Sequence, residues 1–189
     1  LTEDAPFRPV SPYAASKAMA DILAQQAHLG HGQDVVRARS FNHFGPGQGE
    51  AGVCSALAAR IARCEMACGT SIAVGNLQAR RDFTDVRDVV RAYRHLAVRG
   101  RAGQAYNVCS GTAVSIETIL EVLLGLADQP IEVVGDQNLF RPVDLPELRG
   151  DASRLQAETG WSPQHSMGAT LSEVLDEWRG RLRREPEAD

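Results

Sequence analysis

Tyr13 and Lys17 place a phenol and an ammonium four residues apart in the stretch Tyr13-Ala14-Ala15-Ser16-Lys17. With Ser11 or Pro12 opening a helix, both side chains lie on one helix face. A free phenol titrates near ~10 and is a poor proton donor or acceptor at pH 7. A cation beside it favours the phenolate and moves it towards acid–base use. The same ammonium can hold the ribose hydroxyls of a dinucleotide. The competing reading of this spacing is a solvated surface pair, which many helices carry.

The elements that must position this pair alternate between helix and strand. Residues 13–29 read as a helix with an apolar stripe at Met19, Ile22 and Leu23, ended by Gly30 and Gly32. Residues 34–40 read as a short strand, and the glycine- and proline-rich run 41–52 as loop. A second Ala-rich helix is expected over 53–68, a strand over 71–74, and a turn over 75–81. An extended segment over 83–86 leads into a helix over 86–98, which Asp85 and Asp88 can cap, the reading favoured for Asp88. A strand is expected over 105–109. Ser115 caps a helix with Ile116, Ile119, Leu120, Leu123 and Leu124 on one face. Another strand covers 131–134, and an irregular stretch runs to Gly150. Asp151 caps a short helix through Glu158. Ser166 caps the last helix, with Leu171, Val174, Leu175 and Trp178 inward, and the charged run from Arg179 to Asp189 is expected to fray. Trp161, Trp178 and Phe140 are read as packing residues. Such alternation predicts an α/β fold.

Composition narrows the function classes. The 189 residues are 43% hydrophobic and 23% charged, with a net charge of −4. That is ordinary for a globular chain and excludes nucleic-acid binding driven by charge. The longest apolar runs fall far short of the ~18 residues that span a membrane. Cys54, Cys64, Cys68 and Cys109 complete no zinc spacing, so no metal is expected; they read as small thiols of a cytoplasmic protein. The opening Leu1-Thr2-Glu3-Asp4-Ala5-Pro6 reads like the middle of a loop, which predicts a piece of a longer enzyme. No Gly-x-x-Gly-x-x-Gly follows a strand, so the phosphate-cradling turn of a dinucleotide-binding half is not among these residues.

Three further segments, in order, accompany the Tyr–Lys pair. The first is Arg39-Ser40-Phe41-Asn42-His43-Phe44-Gly45-Pro46-Gly47-Gln48. The second is Gly75-Asn76-Leu77-Gln78-Ala79-Arg80-Arg81-Asp82-Phe83-Thr84-Asp85-Val86-Arg87-Asp88. The third is Arg141-Pro142-Val143-Asp144, followed by Gly160-Trp161-Ser162-Pro163. Over nearly its whole length the chain resembles the C-terminal part of the extended short-chain dehydrogenases/reductases, the NAD-dependent epimerase/dehydratase family. Within it the nearest look is to the GDP-mannose 4,6-dehydratase and GDP-4-keto-6-deoxymannose reductase group. Cys109 stands where that group more often has Gly.

The resemblance implies the last strands and helices of a Rossmann-type parallel sheet, roughly residues 1–50 and 71–110. A small α/β substrate-binding domain, mainly 51–70 and 111–189, is interleaved with it. It implies Tyr13 and Lys17 as the catalytic pair, with Tyr13, Lys17, Phe41 and His43 at an NADP or NAD cofactor. Asn42, Arg81 and Arg141 are implied at the diphosphate and sugar of a GDP-sugar or other nucleotide sugar. Arg suits a diphosphate because its planar fork pairs bidentately with phosphate oxygens. Arg80 and Arg87 compete with Arg81 for that role, and His43 reads equally as a proton relay or as a structural histidine. The implied chemistry is 4,6-dehydration of GDP-mannose or reduction of the GDP-4-keto-6-deoxy sugar, with a nucleotide-sugar 4-epimerase as alternative. A chain of this extent can also be a non-catalytic nucleotide-sugar-binding module. By itself it is expected to be inactive and to leave cofactor unbound; the intact enzyme is expected to be a homodimer through the Ala-rich faces of 14–29 and 53–68.

Overall fold

A computed structural model describes residues 1–140 and 145–184. In chain order the elements are α1 (Pro12–His31), β1 (Arg37–Ser40), β2 (Asn42–Phe44), α2 (Val53–Met66) and β3 (Ser71–Val74). Then come β4 (Arg80–Asp85), α3 (Val86–Arg99), β5 (Ala105–Val108), β6 (Ala113–Ser115) and α4 (Ile116–Gly125). β7 (Glu132–Gly135), a 3-10 turn at Gln137–Leu139, β8 (Glu147–Leu148), α5 (Ser153–Thr159) and α6 (Met167–Leu182) complete the chain.

The helix boundaries follow local chemistry. Ser11 Oγ accepts from the Ala14 N–H at 3.1 Å and Pro12 opens α1, while Gly32 closes it at φ 64°. Ser115 and Ser166 cap α4 and α6 as expected. Asp85, not the favoured Asp88, caps α3, accepting from the Arg87 N–H at 2.7 Å. Asp88 lies one turn inside and reaches across to the N–H groups of Gln164 and His165. Asp151 accepts from the Ser153 N–H, one place before the residue that caps α5.

Strands come together through distant partners. β1 and β5 pair in parallel, Arg37 opposite Ala105. β3 and β7 pair in parallel, Ser71 opposite Glu132. β4 is the centre of a third sheet: β2 and β8 run parallel to it and β6 antiparallel. Three of these strands were not expected. β2 falls inside the run read as loop, β6 follows a turn, and β8 lies in the stretch read as irregular. Each is two or three residues long and exists through pairing with β4, which no local window shows. β4 itself begins at Arg80, inside the expected turn.

Two hydrophobic clusters form the interior. One gathers Phe44 of β2, Leu57 and Ile61 of α2, Ile119 and Leu123 of α4, and Leu171, Leu175 and Trp178 of α6. The other joins Val89 and Leu96 of α3, Tyr106 and Val108 of β5, Leu155 of α5, and Trp161. The small-residue face of α2 is therefore packed within the chain, against α4 and α6. It is not available to a second subunit as the sequence suggested. By contrast α1 buries none of its residues, and its apolar stripe of Met19, Ile22 and Leu23 is exposed. Phe140 is exposed as well, unlike the two tryptophans. The last helix persists to Leu182: Arg179 pairs with Glu65 at 2.7 Å and Arg181 with Glu177 at 2.5 Å. Cys54, Cys64 and Cys109 are buried free thiols, and Cys68 is an exposed one. Among the described residues no helix is long and apolar enough to cross a membrane, and no side-chain group could hold a metal ion.

Candidate active site

Tyr13 and Lys17 share one face of α1, as their spacing requires. Lys17 Nζ lies 5.4 Å from the centre of the Tyr13 ring, within cation–π range. Tyr13 is 71% exposed, and no hydrogen bond reaches its hydroxyl among the described residues. Four residues beyond Lys17, Asp21 fastens this face to β1. It accepts from Arg37 Nη1 at 2.7 Å, from Arg39 Nε at 2.9 Å and from Arg39 Nη2 at 2.8 Å. Burial pushes the Asp21 carboxyl up, but hydrogen bonds and charge from Arg39 and Arg37 outweigh it and hold the group below the usual carboxylate range. Arg39 also donates to the Glu3 carbonyl at 2.6 Å and stacks on the Phe7 ring.

The strand register sorts the remaining candidates by face. Asn42 stands opposite Phe83 and Phe44 opposite Asp85. Side chains alternate along a strand, so Asn42, Arg81 and Phe83 share one face of the sheet while His43, Asp82 and Thr84 share the other. Phe44 and Phe83 meet edge to face at 6.0 Å on the first of these faces. The Nδ2 amide of Asn42 is buried and has no hydrogen-bond partner among the described residues. Such an orphaned amide, on the sheet face that also carries Arg81, suits the oxygens of an anionic, hydroxyl-rich ligand. His43 faces away from Asn42; it is exposed, and its Nδ1 lies 3.1 Å from the Phe41 carbonyl. Phe41 packs half-buried against the second cluster.

The three arginines are distinguished by what they touch. Arg80 pairs with Glu147 at 3.2 Å and donates to the Ala113 carbonyl at 2.8 Å. Arg87 pairs with Asp85 at 2.7 Å and Glu173 at 2.8 Å. All three arginines have partners within the chain. Arg81 lies next to Arg80 in β4, with Nη1 2.7 Å from the Arg80 carbonyl. Arg141, the other candidate for a diphosphate, lies outside the described residues.

Two carboxylates escaped the sequence reading. Asp21 was legible in principle, since Tyr13, Lys17 and Asp21 continue one i, i+4 line. Asp82 is fully buried and accepts from the N–H groups of Ser110, Gly111 and Gly150. Its only local signal is a charged residue at an inward strand position.

Comparison with known proteins places this arrangement. The profile of the GDP-mannose 4,6 dehydratase family matches residues 1–174. The chain is 38% identical over 178 residues to GDP-6-deoxy-D-mannose reductase of Pseudomonas aeruginosa, covering 94% of this chain and 59% of the relative. It is 31% identical to GDP-mannose 4,6 dehydratase 2 of Arabidopsis thaliana, covering 93% and 48%. Among solved structures, RMD from Pseudomonas aeruginosa complexed with NADPH superposes with a TM-score of 0.88 at 37% identity, covering 95% of this chain and 60% of that one. The UDP-glucose 4-epimerase of Thermus thermophilus in complex with NAD gives 0.81 at 28% identity, covering 94% and 57%. The chain thus spans about 60% of the length of the first of these relatives. Its α/β architecture is the Rossmann type of the epimerase/dehydratase short-chain dehydrogenases, and the chain belongs to the GDP-mannose 4,6 dehydratase family.

Proposed function

We propose that the protein reduces a GDP-linked 4-keto-6-deoxy sugar with a nicotinamide cofactor, and that these residues supply its proton-transfer pair and much of its sugar-nucleotide site. The observation that carries the reading is the Tyr13–Lys17 pair, exposed on α1 and clamped by Asp21 to the strand that leads into Asn42. The 38% identity to a reductase, against 31% to a dehydratase, favours reduction over dehydration.

Tyr13 and Lys17, with Phe41 and His43 on the strand segment beyond, are the residues that would hold NADP or NAD. When bound, the cofactor supplies the redox equivalent at the sugar carbon. Tyr13 gives its hydroxyl proton to the sugar oxygen, and the Lys17 ammonium stabilises the phenolate left behind. Asn42 donates its amide to a sugar or phosphate oxygen. Arg81, with Arg141, meets the negative charge of the diphosphate. Residues 1–50 and 71–110 serve chiefly the cofactor side, and 51–70 with 111–189 chiefly the substrate. Met19, Ile22, Leu23 and Leu29 on the outer face of α1 suit a homodimer interface, and sedimentation showing a monomer at high micromolar concentration would contradict that assembly.

The reaction is tested by giving the full-length protein GDP-4-keto-6-deoxymannose with NADPH or NADH, and separately GDP-mannose with the oxidised cofactor. Cofactor oxidation in the first mixture is expected. A 4-keto product from GDP-mannose would make the protein a dehydratase, and turnover of neither would leave it a binding module.

A further inference from the structure

Asp82 is the immediate neighbour of Arg81 on β4 but points to the opposite face, and it is fully buried. Four donors converge on its carboxylate. Oδ1 accepts from the Ser110 N–H at 2.8 Å and the Ser110 hydroxyl at 2.6 Å. Oδ2 accepts from the Gly111 N–H at 3.0 Å and the Gly150 N–H at 3.2 Å.

These donors lie just before and just after the two strands that flank Arg81. The Ser110–Gly111 turn leads into β6, which pairs with β4 at Arg80, Arg81 and Asp82. Gly150 leaves β8, which pairs with β4 at Arg80 and Arg81 on the other side. Gly111 sits at φ 81° and Gly150 is wedged: a Cβ there would come within 2.5 Å of Cys109 Sγ and 2.7 Å of the Phe41 ring. The carboxylate therefore closes the ends of the two strands on either side of Arg81. The segment returning through β8 is also the one that follows Arg141 in the sequence.

We infer that Asp82 is a positioning residue for nucleotide-sugar binding, holding β6 and β8 on either side of Arg81 so that its guanidinium is preorganised for a diphosphate. The inference rests on the reading of Arg81 as a diphosphate ligand. Among the described residues every bond to Asp82 is donated to it, so its amide cannot accept them all. In Asp82→Asn an NH2 replaces one oxygen; placed at Oδ1 it can donate to the Ser110 hydroxyl, but it faces the Ser110 N–H, and at least that donor is left unsatisfied. The strand ends then loosen without any group that touches the ligand being removed.

The test is GDP binding by calorimetry to the full-length protein and its Asp82→Asn, Ser110→Ala and Arg81→Ala variants, with NADPH binding and amide exchange measured on each. Asp82→Asn is expected to weaken GDP about tenfold, leave NADPH within about twofold, and speed exchange at Gly111 and Gly150. Arg81→Ala combined with Asp82→Asn should bind little more weakly than Arg81→Ala alone, because both act on one contact. Ser110→Ala keeps the carboxylate and removes one hydroxyl donor, so it carries the test if Asp82→Asn does not fold; a loss of about threefold is expected. If Arg81→Ala weakens GDP but Asp82→Asn and Ser110→Ala do not, the positioning role is overturned. If Arg81→Ala itself leaves GDP binding unchanged, the diphosphate reading of Arg81 fails and the inference falls with it.

Discussion

Asp21 and Arg39 meet through two hydrogen bonds, Nε to Oδ1 at 2.9 Å and Nη2 to Oδ2 at 2.8 Å. With Arg37 on the same carboxylate, this fork joins α1 to β1 across 18 residues of sequence. It matters because α1 buries no residue of its own and carries Lys17 and Tyr13 one and two turns away. The bidentate geometry fixes orientation as well as distance, which a single contact could not.

Removing that carboxylate should be costly. Asp21→Ala leaves two guanidinium groups facing each other; the Arg37 side chain is only 9% exposed and the Arg39 side chain 20%. Breaking a buried pair from one side destabilises by about 3 kcal/mol. Urea unfolding of the two proteins measures the difference, and a change below about 0.5 kcal/mol, the range of ordinary surface substitutions, would show that the fork does not hold the helix.

Acid should weaken the junction between α3 and α6. Burial pushes Asp85 up, but the Arg87 guanidinium and the Thr170 hydroxyl, at 2.7 and 2.6 Å, outweigh it and hold the carboxyl at about 2, against an ordinary value of 3.8. A depressed carboxyl contributes stability above its unfolded value, and loses it as pH falls towards its folded one. Stability should therefore drop between about pH 4 and pH 2. Asp85→Asn should be less stable at neutral pH and show a shallower decline over that window, as followed by denaturation midpoints. Parallel declines for both proteins would remove Asp85 from the acid response.

The arginines differ in what they should do. Arg81→Ala and Arg141→Ala should each weaken nucleotide-sugar binding by about 1.5–3 kcal/mol, the range for hydrogen bonds to charged groups, with much less effect on the cofactor. Lys should rescue only partly, because a point charge cannot reproduce the fork. Arg87→Ala should act on stability instead, since its partners are Asp85 and Glu173. Binding of the nucleoside diphosphate as tight as wild type in both Arg81→Ala and Arg141→Ala would defeat the assignment.

Much of this was legible in the residues, for reasons that differ by element. Ser11, Ser115 and Ser166 announce helices because a cap and its first turn are contiguous in sequence. The Tyr13–Lys17 pair is legible for the same reason. β2 was hidden because Asn42 to Phe44 sit among glycines and prolines and become a strand only through Phe83 to Asp85. The opposite facing of Asn42 and His43 was hidden with it, since facing is set by register. The outward turn of Met19, Ile22 and Leu23 shows the limit of periodicity: an apolar stripe says that a face is to be covered, not what covers it. Asp82 was missed because its four donors come from segments 28 to 68 residues away.

The most direct test of the account is the single-turnover rate of the full-length protein and its Tyr13→Phe variant, with GDP-4-keto-6-deoxymannose and reduced cofactor both bound. Phe keeps the ring beside Lys17 and removes only the proton-bearing hydroxyl. The account predicts a fall of at least about 100-fold in the rate of cofactor oxidation, in the range that acid–base groups contribute, with substrate affinity within about twofold of wild type. A variant that keeps a tenth or more of the wild-type rate, at about 1.4 kcal/mol or less of lost transition-state stabilisation, would take Tyr13 out of the chemistry.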